Sequence, residues 1–261
     1  MNKNEPISVS RIRQIVTLID LTNLNDDCND AAIESLCAQA KTPVGYVAAI
    51  CIWPAFVLAA RKLLGESSPV NIATVVSFPH GDEALKTSCA SIDTALKDGA
   101  NEIDYVLPYK ELINGNTGKV INGVCAIRSH VPDHVKLKII LETGKLKKSD
   151  LIRTAANIAI DQGADFIKTS TGKVPINATK EAAEIMLDAI SCSPRDVGFK
   201  AAGGIKTIDD ANLYLTLSEE RLGQYWADAS HFRFGASSLL QDALDKLDIE
   251  SFPSSSGNDD Y

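Results

Sequence analysis

Short apolar runs alternate with Ala-rich stretches of helical spacing along almost the whole chain, and no other feature restricts the fold so tightly. Residues 17–21, 46–52, 71–77, 102–107, 136–142, 166–169, 198–201 and 232–236 read as strands. Helical spacing appears at 30–40, 55–64, 84–97, 120–130, 148–162, 180–191 and 208–217, and a further helix begins at Leu239. An eightfold strand–helix alternation in 261 residues predicts an α/β chain closed as a single (β/α)8 TIM barrel, with its chemistry at the C-terminal strand ends. An open doubly wound sheet is the competing solution, but no Gly-x-Gly-x-x-Gly follows Leu21. The barrel is expected over residues 1–250, opening with a short N-terminal extension. The Ser-, Gly- and Asp-rich residues 251–261, ending in Tyr261, read as a flexible tail.

The formal net charge of −8 disfavours a nucleic-acid or anionic-membrane surface, while leaving room for a small basic pocket. No apolar run reaches the length of a membrane span. The N-terminus lacks the apolar stretch of a secretion signal, and six cysteines are scattered without a Cys-x-x-Cys pair. These features predict reduced thiols, a cytoplasmic location and a small-molecule substrate.

Two lysines stand where strand-like runs break into small and polar residues: Lys168 in Phe166-Ile-Lys-Thr-Ser-Thr-Gly172 and Lys200 in Val197-Gly-Phe-Lys-Ala-Ala-Gly-Gly204. A single strand lysine more often extends its stem along apolar surface to reach water. Two of them at strand ends, close enough for one ammonium to depress the pKa of the other, instead describe a nucleophilic amine. The segments Asp98-Gly-Ala-Asn-Glu-Ile-Asp104 and Gln162-Gly-Ala-Asp-Phe-Ile-Lys168 echo each other. They put Asp104 and Lys168 in equivalent register on strands four and six, facing across the barrel. Asp104 thereby becomes an acid/base partner.

Glycines form a second constellation: Gly172 after strand six, Gly203 and Gly204 after strand seven, and Gly235-Ala-Ser-Ser238 after strand eight. Each alone reads as a turn. Together they converge on the rim where barrels bind phosphate through backbone N–H groups, with Ser237 and Ser238 as hydroxyl donors and caps of the helix from Leu239. Neither Thr143-Gly-Lys145 nor Thr171-Gly-Lys173 is a P-loop, because the first glycine and the Ser or Thr after the lysine are missing. His130 and His134 flank Val131-Pro132-Asp133, which breaks the helix that would align them as metal ligands, so no metal site is expected.

The segments Asp20-Leu-Thr-Asn-Leu-Asn25, Lys41-Thr-Pro-Val44, Ala49-Ile-Cys-Ile52, Phe78-Pro-His-Gly81, Phe166 to Val174, Gly198 to Gly204 and Arg233 to Ser238 closely resemble the deoxyribose-phosphate aldolase family. The resemblance spans nearly the whole chain; one departure is Ala201, where the family pattern commonly has proline. It implies a class I aldolase that needs no cofactor and reversibly cleaves 2-deoxy-D-ribose 5-phosphate to D-glyceraldehyde 3-phosphate and acetaldehyde. Lys168 would be the Schiff-base lysine, Lys200 the cation that lowers its pKa, and Asp104 a proton relay through a water. Gly172, Gly203, Gly204, Ser237 and Ser238 match the phosphate rim. Asp20 and Thr22 match positions near the substrate hydroxyls, and Thr169 flanks the amine. Cys51 is expected to see the pocket, where unsaturated aldehydes would alkylate it, and Tyr261 to fold over the site and assist proton abstraction. The resemblance also allows a homodimer, for which the sequence itself carries no interface signal. The alternatives are another Schiff-base aldolase or transaldolase acting on a different phosphorylated sugar, and a non-catalytic phosphosugar-binding barrel.

Overall fold

A computed structural model of the chain describes residues 6–249; the tail 251–261, with Tyr261, lies outside the described residues. Eight parallel strands close into a barrel: β1 (Ile19–Asn23), β2 (Ala49–Ile52), β3 (Asn71–Val76), β4 (Glu102–Val106), β5 (Lys136–Ile140), β6 (Phe166–Lys168), β7 (Gly198–Ala202) and β8 (Phe232–Ala236). Each strand hydrogen-bonds to its sequence neighbours, and β8 returns to pair with β1 through Ile19 and Phe234. Helices cross back between the strands and bury their apolar faces against the outside of the barrel, which forms the main core. Among the described residues no helix is long and apolar enough to cross a membrane.

Two strand starts differ from expectation, and β5 ends at Ile140, two residues short of the expected end. The N-terminal extension contains a helix, Val9–Thr17, capped by Ser8 and burying Ile12, Ile15 and Val16. Thr17 therefore closes a helix instead of opening a strand, and β1 begins at Ile19. The expected strand 46–52 is also interrupted: Gly45–Tyr46 pairs with Lys41–Thr42 in a small antiparallel hairpin, leaving Ala49–Ile52 for the barrel. Tyr46 is half exposed, outside the buried alternation that defines the strand.

The sequence echo has a structural cause. In each copy the glycine, Gly99 or Gly163, follows a helix in a positive-φ conformation. Arg61 donates to the Gly99 carbonyl and to Asn101 Oδ1, whose oxygen also receives the Ile72 N–H at the start of β3. Arg128 does the same with Gly163 and Asp165, whose Oδ2 receives the Leu137 N–H on β5 at 2.8 Å. One arginine clamp, used twice, thus sets the register of β4 and β6 against their neighbours. Asp104 and Lys168 inherit equivalent inward positions from it.

The lower end of the barrel is filled by Phe166, with the Arg233 guanidinium 5.6 Å from its ring centroid. Gly198 is required beside it, because a Cβ there would lie 2.4 Å from Phe166 Cε1 and 2.7 Å from the His231 carbonyl oxygen. Gly198→Ala is expected to destabilise the barrel by about 1–3 kcal/mol, the usual cost of overpacking a filled core. A chemical denaturation midpoint equal to wild type would show that the ring has room to move.

Candidate active site

Alternation along the strands turns every second side chain inward, and on six strands an inward residue is charged. Asp20 comes from β1, Glu102 and Asp104 from β4, Lys138 from β5, Lys200 from β7 and Arg233 from β8. Lys168 joins them from the last residue of β6. Lys168 and Lys200 are register partners on adjacent strands, so their amines approach the same carboxylate. Asp104 Oδ2 accepts from Lys168 Nζ at 3.0 Å and from Lys200 Nζ at 2.8 Å, while its Oδ1 accepts from Lys138 Nζ at 2.7 Å. Lys200 Nζ also donates to Asp20 Oδ2 at 2.5 Å. Beneath, Lys138 Nζ lies 2.5 Å from Glu102 Oε2, and Arg233 bridges Asp20 and Glu102 at 2.7 and 2.9 Å.

All seven groups are buried, so their charges must nearly cancel. Three carboxylates face four cations, and the set balances when one amine is neutral. The environment favours that state at Lys168. Burial lowers its pKa most, the Lys200 ammonium lowers it further, and Asp104 opposes only in part. At Lys138 and Lys200 burial also works against the charge, but two or more carboxylates outweigh it and raise both pKa values. Asp104 stays ionised well below the usual carboxylate range, because Lys138, Lys200 and Lys168 together overcome its desolvation. Asp20 is lowered in the same way by Lys200, Arg233 and Lys138. The surroundings therefore favour the neutral amine at Lys168 and the charged forms of Lys200 and Asp104.

The remaining expected residues are distributed unevenly around this centre. Cys51 on β2 is fully buried, and burial pushes its thiol up despite the nearby lysines. With Leu24, Ala73 and Val75 it forms a small apolar cluster separate from the main core, covered by Trp53 and Phe78 packed edge to face. The Thr22 hydroxyl donates to the Asp20 carbonyl. The Thr169 hydroxyl bonds twice to the Ala202 backbone, accepting its N–H at 3.0 Å and donating to its carbonyl at 3.2 Å. It staples the end of β6 to the end of β7.

Gly172, Gly203 and Gly204 all have positive φ, and Gly203 packs so closely on Asn177 that a Cβ would lie 2.7 Å from it. The loops after β6 and β7 are thereby joined, and the Gly203 N–H points to the Gly235 carbonyl of β8 at 3.5 Å. Gly204 remains exposed at the rim. The expectation that serine hydroxyls cap the helix Leu239–Lys246 is corrected: Ser238 occupies the N-cap position with helical backbone angles, and its side chain makes no capping bond. Those angles turn the hydroxyl away from the first-turn N–H groups that an extended cap residue reaches.

Lys138, Glu102 and Arg233 were not singled out by the motifs, although they complete the network. The signal that flags Lys168 applies equally to them: a charged residue inside an apolar strand run. Lys138 is the register partner of Asp104, and Glu102 lies two residues before it on the same face.

Residues 14–242 match the model of the DeoC/LacD family aldolases. The chain is 52% identical over 232 residues to the deoxyribose-phosphate aldolase of Agrobacterium fabrum, covering 89% of this chain and 90% of that protein. A solved structure from Coccidioides immitis, provisionally assigned as a deoxyribose-phosphate aldolase, superimposes with a TM-score of 0.80 at 27% identity, over 93% of this chain and 88% of that one. An apo structure from Toxoplasma gondii with the same provisional assignment gives a TM-score of 0.83 at 25% identity, over 92% of this chain and 96% of the other.

Proposed function

The chain belongs to the DeoC/LacD family of aldolases, and on that premise we propose that it reversibly cleaves 2-deoxy-D-ribose 5-phosphate to D-glyceraldehyde 3-phosphate and acetaldehyde. The observation that supports this reading most is the neutral-leaning Lys168 amine, 3.0 Å from an ionised Asp104 and beside the protonated Lys200.

Lys168 Nζ adds to the C1 aldehyde of the open-chain sugar, and loss of water from the carbinolamine leaves a protonated imine. The C3 hydroxyl then gives up its proton, the C2–C3 bond breaks, and its electron pair flows into the imine to form an enamine. D-glyceraldehyde 3-phosphate departs. Protonation of the enamine at C2 and hydrolysis release acetaldehyde and free Lys168. Asp104 carries protons through a water, and Lys200 keeps the attacking amine neutral. The iminium supplies the electron sink, so the chemistry calls for no metal or cofactor.

In this reading the apolar cluster of Leu24, Cys51, Ala73 and Val75 faces the two-carbon fragment. The backbone N–H groups around Gly172, Gly203 and Gly204 receive the phosphate together with Ser237 and Ser238, remote from the bond that breaks. Asp20 and Thr22 act on the substrate side mainly by fixing Lys200 and the end of β1. Cys51 remains the site for alkylation by unsaturated aldehydes and Tyr261 an aid to proton abstraction. A homodimer and a cytoplasmic place in deoxynucleoside catabolism belong to the same reading.

Purified protein incubated with 2-deoxy-D-ribose 5-phosphate is expected to release both aldehydes. Cleavage of another phosphorylated sugar in its place would favour a different Schiff-base aldolase. Phosphosugar binding without any product would favour a binding barrel.

A further inference from the structure

Glu142 lies two residues past the end of β5, and its side chain is fully buried. Its backbone is left-handed, with φ 56° and ψ 58°, a region that residues other than Gly, Asn and Asp seldom occupy. Such conformations persist where surrounding contacts over-determine them, and they gather at functional sites. Its side-chain hydrogen bonds run to the segment that follows Lys168, while its carbonyl accepts the Lys145 and Leu146 N–H groups of its own turn. The Leu141 N–H donates to the Lys168 carbonyl and the Thr143 N–H to the Thr169 carbonyl, each at 2.9 Å. Between these two, the Glu142 side chain reaches further along the same segment. Its Oε1 faces the Thr171 N–H at 3.4 Å, and its Oε2 accepts a short hydrogen bond from the Thr171 hydroxyl. Thr171 Oγ1 in turn accepts the Lys173 N–H at 3.1 Å, closing the turn over Gly172, whose φ is 84°.

The carboxyl is therefore anchored to the residue just before the turn that carries one edge of the phosphate rim. Burial raises its pKa, and the Thr171 bonds only partly offset that. A neutral hydrogen-bonding group suits the position as well as a charged one. Lys168 itself is held independently, by strand pairing and by Asp104. Loss of the anchor would loosen the turn without removing the nucleophile.

We propose that Glu142 is a positioning residue that fixes the Thr171–Gly172–Lys173 turn and, through it, the grip on the substrate phosphate. The inference rests on the aldolase reading above. It assigns a task to a buried acid outside the lysine network, and it predicts dependence on the phosphate of the substrate.

The test compares kcat/KM for 2-deoxy-D-ribose 5-phosphate with that for unphosphorylated 2-deoxy-D-ribose. Wild type is measured on both, then Glu142→Gln, Glu142→Leu and Thr171→Val. Glu142→Leu removes both bonds, and its loss is expected to be about tenfold or more greater on the phosphorylated substrate, since only that substrate uses the turn for binding energy. Thr171→Val keeps the side-chain shape and should reproduce the selective loss; it decides the matter alone if the leucine variant does not fold. Glu142→Gln, which can still hydrogen-bond Thr171, should stay near wild type. Equal proportional losses on both substrates, or no loss, would overturn the inference and leave Glu142 a structural residue. A wild type that cleaves neither sugar would remove the reading on which the inference depends, and that result is visible before any variant is made.

Discussion

Lys168→Leu is expected to lose turnover by about 10⁴-fold or more, because no second neutral amine can replace the one that forms the imine. Lys200 and Lys138 are both held protonated by two or more carboxylates, so neither can substitute. The fold should survive the change. Asp104 keeps Lys138 and Lys200 as partners, and leucine replaces an amine whose charge the interior already disfavours. A thermal midpoint equal to or above wild type, together with lost turnover, separates chemistry from stability. Retained turnover in a well-folded variant would mean that another residue carries the imine.

Lys200→Leu should act differently, through the pH dependence of its neighbour. Lys168 has a lowered pKa because of burial first and the Lys200 ammonium second, with Asp104 pulling the other way. Removing Lys200 deletes a cation and leaves more of the Asp104 charge to Lys168, and both changes raise the Lys168 pKa. The acid limb of the kcat/KM profile, which reports that amine in the free enzyme, must then move to higher pH. Each unit of that shift costs about tenfold in neutral amine below the pKa. Activity should therefore fall at neutral pH and recover in part at alkaline pH. Stability should also drop by about 3–5 kcal/mol, since Asp20 Oδ2 and Asp104 Oδ2 both lose a buried partner. Lys200→Arg restores the charge and should return the limb toward wild type. An unshifted limb in Lys200→Leu would show that burial alone tunes Lys168.

The barrel was legible because its signal is periodic and repeats: eight apolar runs, each separated by a helix, constrain one another. Strand ends were less legible where local structure competes, as at Thr17, which closes a helix, and at Tyr46, which belongs to a hairpin. The pairing of Asp104 with Lys168 could be read from the Gly-Ala echo, and the twin arginine clamps on Asn101 and Asp165 explain why that echo fixes register. Lys138 has no flanking glycine, and Arg233 only opens the segment whose glycine and serines carry the motif, although a charge inside an apolar strand run is an adequate signal for both. Glu142 was illegible for another reason. Its role depends on a left-handed turn and on contacts to a loop 29 positions away, neither of which residue type or spacing reveals. The hydroxyls of Thr22 and Thr169 each donate to a backbone carbonyl, a bond that residue type and spacing do not reveal.

The central claim is that this buried network lowers the pKa of Lys168 alone among its three lysines and so makes it the imine-forming amine. It is tested most directly by reducing wild-type protein with borohydride during incubation with 2-deoxy-D-ribose 5-phosphate or acetaldehyde, then mapping the adduct by peptide mass. The account predicts a single modification, at Lys168, that disappears in Lys168→Leu. A modification at Lys200 or Lys138, or none in protein that turns over substrate, would contradict it.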